Sequence, residues 1–142
     1  MATRLQRREF RKLYISYRQG LFILTNEKHL PKDQPEINIG KLLSTALCDV
    51  ALADRKFHVQ QLLQQVMDKA GDVTVTHTEI LFTPSLEQDA AGLLLSYCRN
   101  KKVCVVWPGC ITDEKLIYAT PESPEYYEAD LSRFIDTYII TD

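Results

Sequence analysis

The run KVCVVW, residues 102–107, has five apolar residues in six and no polar alternation. A strand with one wet face alternates, so this run predicts a strand buried on both faces, as at the centre of a parallel sheet. Asn100 bounds it before and Pro108-Gly109 after. On its N-terminal side, DVTVTHTEILF (72–82) alternates at first and predicts a strand over 73–76. Leu21 to Thr25 predicts another, and Ile37-Asn38-Ile39 a short one beyond the turn-forming Pro31 and Pro35. On its C-terminal side, KLIYA (115–119) and DTYIIT (136–141) predict two late strands.

Helical spacing fills the gaps. Phe10, Leu13, Tyr14 and Tyr17 recur at i, i+3, i+4, i+7 and predict an amphipathic basic helix over 4–17, ended by Gly20. Leu42, Leu43, Ala46, Leu47 and Val50 predict a helix over 41–53. Phe57, Leu62, Leu63, Val66, Met67 and Ala70 predict another over 56–70, with Gly71 as its terminator. A further helix starts between Ser85 and Asp89 and runs to Cys98; Ser85 with Gln88 offers a capping box, and Asp89 offers an N-cap. Helices between strands predict an α/β domain with a mainly parallel sheet in three layers. With 142 residues the chain fits one domain: 1–19 an N-terminal helix, 20–142 the sheet-containing core.

Composition is that of a globular protein, 45% hydrophobic and 25% charged. No apolar run approaches the roughly 20 residues of a membrane helix. The basic start has no apolar stretch behind it, so it does not read as a secretory signal, and a cytoplasmic location is expected. Cys48, Cys98, Cys104 and Cys110 form no C-x-x-C pair and read as reduced, buried thiols. A zinc set of Cys98, Cys104, Cys110 and His77 would need unusual spacing.

The net charge of −2 hides an asymmetry. Arg4, Arg7, Arg8, Arg11, Lys12 and Arg18 crowd the start. Asp113, Glu114, Glu122, Glu125, Glu128, Asp130, Asp136 and Asp142 crowd the end. Two solvated faces account for this; so does steering towards DNA or a protein, with Arg4, Arg7, Arg8, Arg11 and Lys12 as contacts. Tyr126 and Tyr127 in the acidic segment read either as partner anchors or as cover for the protein's own core.

Ligands of parallel sheets bind at the carboxyl ends of the strands. Here those ends fall at Thr25–Lys28, Thr76–Glu79 and Trp107–Gly109. A phosphate loop needs G-x-x-x-x-G-K-[ST] after the first core strand, and a strand-end acid for magnesium. The chain has TNEKHLPKDQP (25–35) in the first place and Thr76-His77 in the second. Gly40-Lys41 follows the wrong strand and lacks the first glycine. His29, His58 and His77 are scattered and there is no G-x-S-x-G, so nucleophilic catalysis has no local support.

From Ile37 onward the chain resembles the small BrxF component of BREX phage-defence systems. The resemblance is carried by EILFTPSLEQD (79–89), RNKKVCVVWPG (99–109) and LIYATPESPEYYEADL (116–131), in that order and spacing. It implies a P-loop NTPase-like fold, here without the phosphate loop or the magnesium carboxylate. Thr25, Asn26, Glu27, Lys28, Thr76, His77, Glu79 and Asn100 are then the remnants of a nucleotide site, Asn100 as a sensor-like polar residue. The implied role is a non-catalytic adaptor in an antiviral complex, binding other defence proteins such as the larger BREX ATPase, with self-association open. No cofactor is expected. The alternatives are an atypical nucleotide switch, in which Lys28 or Lys32 meets a phosphate and Glu79 holds magnesium, and a DNA-contacting module built on the basic N-terminal helix.

Overall fold

A computed structural model describes residues 2–112 and 114–141. Asp113 and Asp142, both in the acidic set above, lie outside the described residues. Nine strands are described: β1 Thr3–Gln6, β2 Gly20–Leu24, β3 Glu36–Asn38, β4 Val73–Thr76, β5 Lys102–Val106, β6 Cys110–Ile111, β7 Lys115–Tyr118, β8 Tyr127–Asp130 and β9 Thr137–Thr141. Four α-helices accompany them: α1 Arg7–Leu13, α2 Ile39–Leu47, α3 Arg55–Lys69 and α4 Ala90–Ser96. Six strands form one sheet in the order β1-β9-β2-β5-β4-β3, and every neighbouring pair is parallel. The chain is therefore α/β, with KVCVVW supplying an inner strand, β5, between β2 and β4. A small antiparallel sheet, β6-β7-β8, is inserted between β5 and β9.

Strand alternation divides the core in two. Leu21, Ile23, Val73, Val75, Val103, Val105 and Ile139 share one apolar cluster with the buried residues of α2, α3 and α4. Phe22, Leu24, Cys104 and Ile140 face the other way and meet Leu5, Phe10, Tyr14 and Tyr17. The second face has much less cover: α1 has seven residues, and the 3-10 turn Tyr14–Ser16 and the loop 25–35 supply the rest.

Several boundaries differ from the sequence expectations. The N-terminal segment is not one helix over 4–17. Residues Thr3–Gln6 pair with β9 as the outermost strand, and the helix begins only at Arg7. Leu5 alone of those four is buried, so the strand is too polar to announce itself. Three of the four residues of the predicted apolar stripe, Phe10, Tyr14 and Tyr17, pack on the sheet, with Phe10 and Tyr14 reaching Phe22 at ring-centroid distances of 5.7 and 5.1 Å, while Leu13 is exposed. Gly20 does not end a helix; it opens β2 at φ 142°, with Tyr138 too close for a β-carbon. The short strand stops at Asn38, whose side chain accepts from Lys41 N and caps α2, so Ile39 is already helical. The helix predicted over 41–53 ends at Leu47. Gly71 is not the left-handed terminator expected after α3; the Lys101 ammonium donates to the Met67 and Ala70 carbonyls there. Asp89, not Ser85, caps α4, and Ser85 lies in the 3-10 turn Pro84–Leu86. The strand at KLIYA belongs to the separate antiparallel sheet.

Candidate functional site

Two places compete for function: the carboxyl ends of the central strands, and a cleft on the thinly covered face. At the first, the protein fills its own crevice. Trp107 leaves β5, donates its backbone N–H to the Leu24 carbonyl (2.9 Å) and its indole N–H to Ile117 O (3.0 Å). Phe82 lies flat on Tyr118 with centroids 4.1 Å apart and edge-on to Trp107 at 5.6 Å. Tyr127 closes the group 5.2 Å from Phe82 and 5.9 Å from Trp107. These four rings form an aromatic plug under the small sheet. Gly109 lets β7 come this close: a β-carbon on it would stand 2.0 Å from Ile117 O.

The predicted remnant residues lie around this plug without converging. Asn26 accepts from Lys28 N (2.9 Å) and so folds Thr25–Lys28 into a turn on itself. Thr76 and His77 share a 3.1 Å hydrogen bond at the end of β4. His77 adopts the left-handed backbone at φ 55°, and its Cβ and carbonyl sit 3.1 Å from where a β-carbon on Gly40 would be. β5 separates β2 from β4, so the two turns leave strands about 10 Å apart. Glu79 is exposed in the 3-10 turn Thr78–Phe82. Asn100 precedes β5 and therefore belongs to the opposite, amino end of the sheet, where it lines a recess with Gln64, Asp68 and Arg99. It cannot serve as a sensor beside Thr76.

Tyr127 is not an exposed anchor. Its hydroxyl donates to Asp89 and accepts from Ala91 N (3.1 Å), tying β8 to the start of α4. Burial first, then the hydrogen bond to Asp89, pushes its phenol up from the ordinary value. Tyr126 is half-buried and hydrogen-bonds Glu128.

The zinc set does not assemble. Cys98 lies just beyond α4, Cys104 lies on the other sheet face, Cys110 is exposed and His77 is in the loop after β4. Among the described residues no three His, Cys, Asp or Glu side chains gather to hold a metal ion. Cys48, expected to be buried, is exposed, as is Cys110. Burial raises the Cys98 thiol to about 12 and the Cys104 thiol to about 11.

The second place is a cleft of about 580 Å³ between α1 with its following turn and the loop 28–34. Arg11, Lys28, Lys32 and Lys102 line it against Asp33, with Phe10, Ile15, Leu30 and Pro31 as apolar wall. Its base is tied together. Tyr14 donates its hydroxyl to Gln34, and Gln34 Nε2 donates to Thr74 Oγ1 (3.2 Å). Lys102 is 7% exposed; its ammonium donates to Tyr14 O (2.9 Å), lies 4.1 Å from the centroid of the Tyr14 ring, and is 3.7 Å from Asp72. Burial, followed by Cys104, raises the Tyr14 phenol.

Of the residues singled out from the sequence for chemistry, Arg11, Lys28, His29 and Lys32 line this cleft. Gln34 and Lys102 were not foreseen, and Tyr14 was expected only as part of the helix's apolar stripe. The available signal was the lysine that opens an otherwise apolar strand, since a cation at a strand start must find partners on one face. Arg4 donates to Thr112 O (2.9 Å), while Arg7, Arg8 and Lys12 lie exposed along α1 outside the cleft. Among the described residues no helix is long and apolar enough to cross a membrane. No family model, curated protein or solved structure matches the chain.

Proposed function

We propose that the chain is a non-catalytic adaptor of a BREX-like antiviral complex, a P-loop-type domain that has lost its nucleotide site and serves by binding protein partners. The observation that carries this reading is the aromatic plug of Phe82, Trp107, Tyr118 and Tyr127 at the strand ends where a parallel sheet would hold its ligand. Two further features support it. The segment after β2 runs from 25 to 35 with a single 3-10 turn, Glu27–His29, and no helix whose N-terminus could cradle a phosphate. The all-parallel sheet keeps β2 and β4 on either side of β5, the arrangement a nucleotide site between them would have used.

The atypical ATPase reading loses its geometry, because Lys28 and Lys32 line the cleft on one face while Glu79 does not. The exposed Arg7, Arg8 and Lys12 keep a DNA-contacting role as a second reading. The test is turnover together with association. With millimolar Mg-ATP, phosphate release should stay at the level of buffer, and the chain co-expressed with the larger ATPase of a BREX system should co-elute with it. ATP turnover abolished by Lys28→Ala would overturn the reading.

A further inference from the structure

We propose that the cleft between α1 and the loop 28–34 is a binding site for a small phosphate monoester carrying an apolar body. The inference is independent of the adaptor reading. Its first support is charge. Arg11, Lys28 and Lys32 point three cations at one space from two walls, and none pairs with an acid among the described residues. Lys102 adds a fourth positive centre at the base, already neutralised in part by Asp72. Against these cations the cleft lining sets the single carboxylate of Asp33, so a positive excess remains, and an anion of more than one charge relieves it. A phosphate monoester concentrates that charge on one group, which ammonium and guanidinium donors from opposite walls can share.

The second support is that the site is built, not a fluctuating gap. Tyr14 from the helix wall and Gln34 from the loop wall hydrogen-bond directly, and Gln34 is anchored in turn to Thr74 of β4. Lys102 fixes the 3-10 turn that carries Ile15 through its bond to the Tyr14 carbonyl. Pro31 and Pro35 hold the backbone of the loop wall. A cleft tied at its base spends little ordering entropy on binding.

The third support is lining and size. About 580 Å³ falls within the range of small-ligand sites, and such sites are mostly apolar with few placed polar groups. Ile15, 88% exposed at the rim, has no cover within the chain and offers contact to the ligand body, with Leu30 and Pro31 opposite.

The experiment is calorimetric titration of the full chain at low salt, without magnesium, using AMP, inorganic phosphate and adenosine as probes. AMP should bind most tightly, inorganic phosphate more weakly and adenosine weakest. Lys28→Ala with Lys32→Ala should weaken AMP by roughly tenfold or more, because both residues are exposed and their loss removes charge and not packing. Arg7→Ala with Arg8→Ala, on the same helix but outside the cleft, should leave AMP binding within about twofold. Absence of AMP binding, or equal losses in the two double variants, would overturn the proposal. A negative titration beside intact co-elution with a partner would leave the adaptor reading standing.

Discussion

The two faces of the six-stranded sheet are built to different standards. One is closed by α2, α3 and α4, and its cluster is apolar from Leu43 and Leu63 to Val103 and Val105, with the buried Tyr97 hydroxyl as its polar exception. The other is covered by seven residues of helix, a turn and a proline-bounded loop, and it carries Thr74, Gln34, Tyr14, Cys104 and Lys102 in one polar chain. A dry face is held by area removed from water, about 25 cal/mol per Å². A polar one is held by groups that must each keep a partner. The difference teaches where this molecule can afford a site: on the face whose cover is incomplete and whose interior is already polar, and not at the plugged strand ends.

The comparison is broken most easily on the dry face. Leu63→Ala, at a fully buried position of α3, should cost about 2–5 kcal/mol in urea unfolding, whereas Tyr14→Phe on the polar face should cost about 1 kcal/mol. Equal losses would mean that the two faces are held alike. Gly109→Ala tests the plug. The new methyl group must push β7 away from the turn that follows β5, so a loss of about 3 kcal/mol and a change in Trp107 fluorescence are expected. Tyr127→Phe keeps the ring and removes the hydroxyl that joins Asp89 and Ala91, and should cost about 1 kcal/mol.

The buried thiols give the pH dependence. Folding raises Cys98 to about 12 and Cys104 to about 11 from an ordinary value of 9.0. The unfolded chain therefore loses these protons first. Their stabilising contribution is complete below pH 9 and drains away as pH rises from there through 11 and 12. Denaturant midpoints measured across that window should fall steadily. In the native protein a thiol reagent should modify Cys48 and Cys110 quickly, and Cys98 and Cys104 only on unfolding. The smallest effect belongs to the surface: Arg7→Ala with Arg8→Ala should change stability by less than about 0.5 kcal/mol, while any affinity for duplex DNA should fall with both salt and these substitutions.

Much of the dry face was legible in the sequence, because burial on both sides of β5 and one-sided burial of α2 leave clear patterns; on α3 the expected face was partly misplaced, since Phe57 is 67% exposed and Val59 is buried with Leu63 and Met67. KVCVVW marked an inner strand and the 3.6-residue spacing marked the helices. The polar face was not, since its elements are short and pair at long range. β1 holds one buried residue in four and gains its identity only from β9, more than 130 positions away. In the small sheet, β8, YEAD, likewise reads as an acidic loop until it pairs with β7. Thr25–Lys28 and Thr76-His77 were rightly read as strand exits. Nothing local announced that Trp107 and Phe82 would occupy the space between them, or that Tyr14 and Gln34 would meet across another cleft.

Backbone amide chemical-shift mapping of the full chain with ATP, once in millimolar magnesium and once in chelator, tests the central contrast most directly. The account predicts shifts confined to the cleft, at residues such as Arg11, Ile15, Lys28 and Gln34, with the same pattern in both conditions. Magnesium-dependent shifts at Thr25, Asn26, Thr76 and His77 would contradict it, because they would mean that the strand ends still open to a nucleotide.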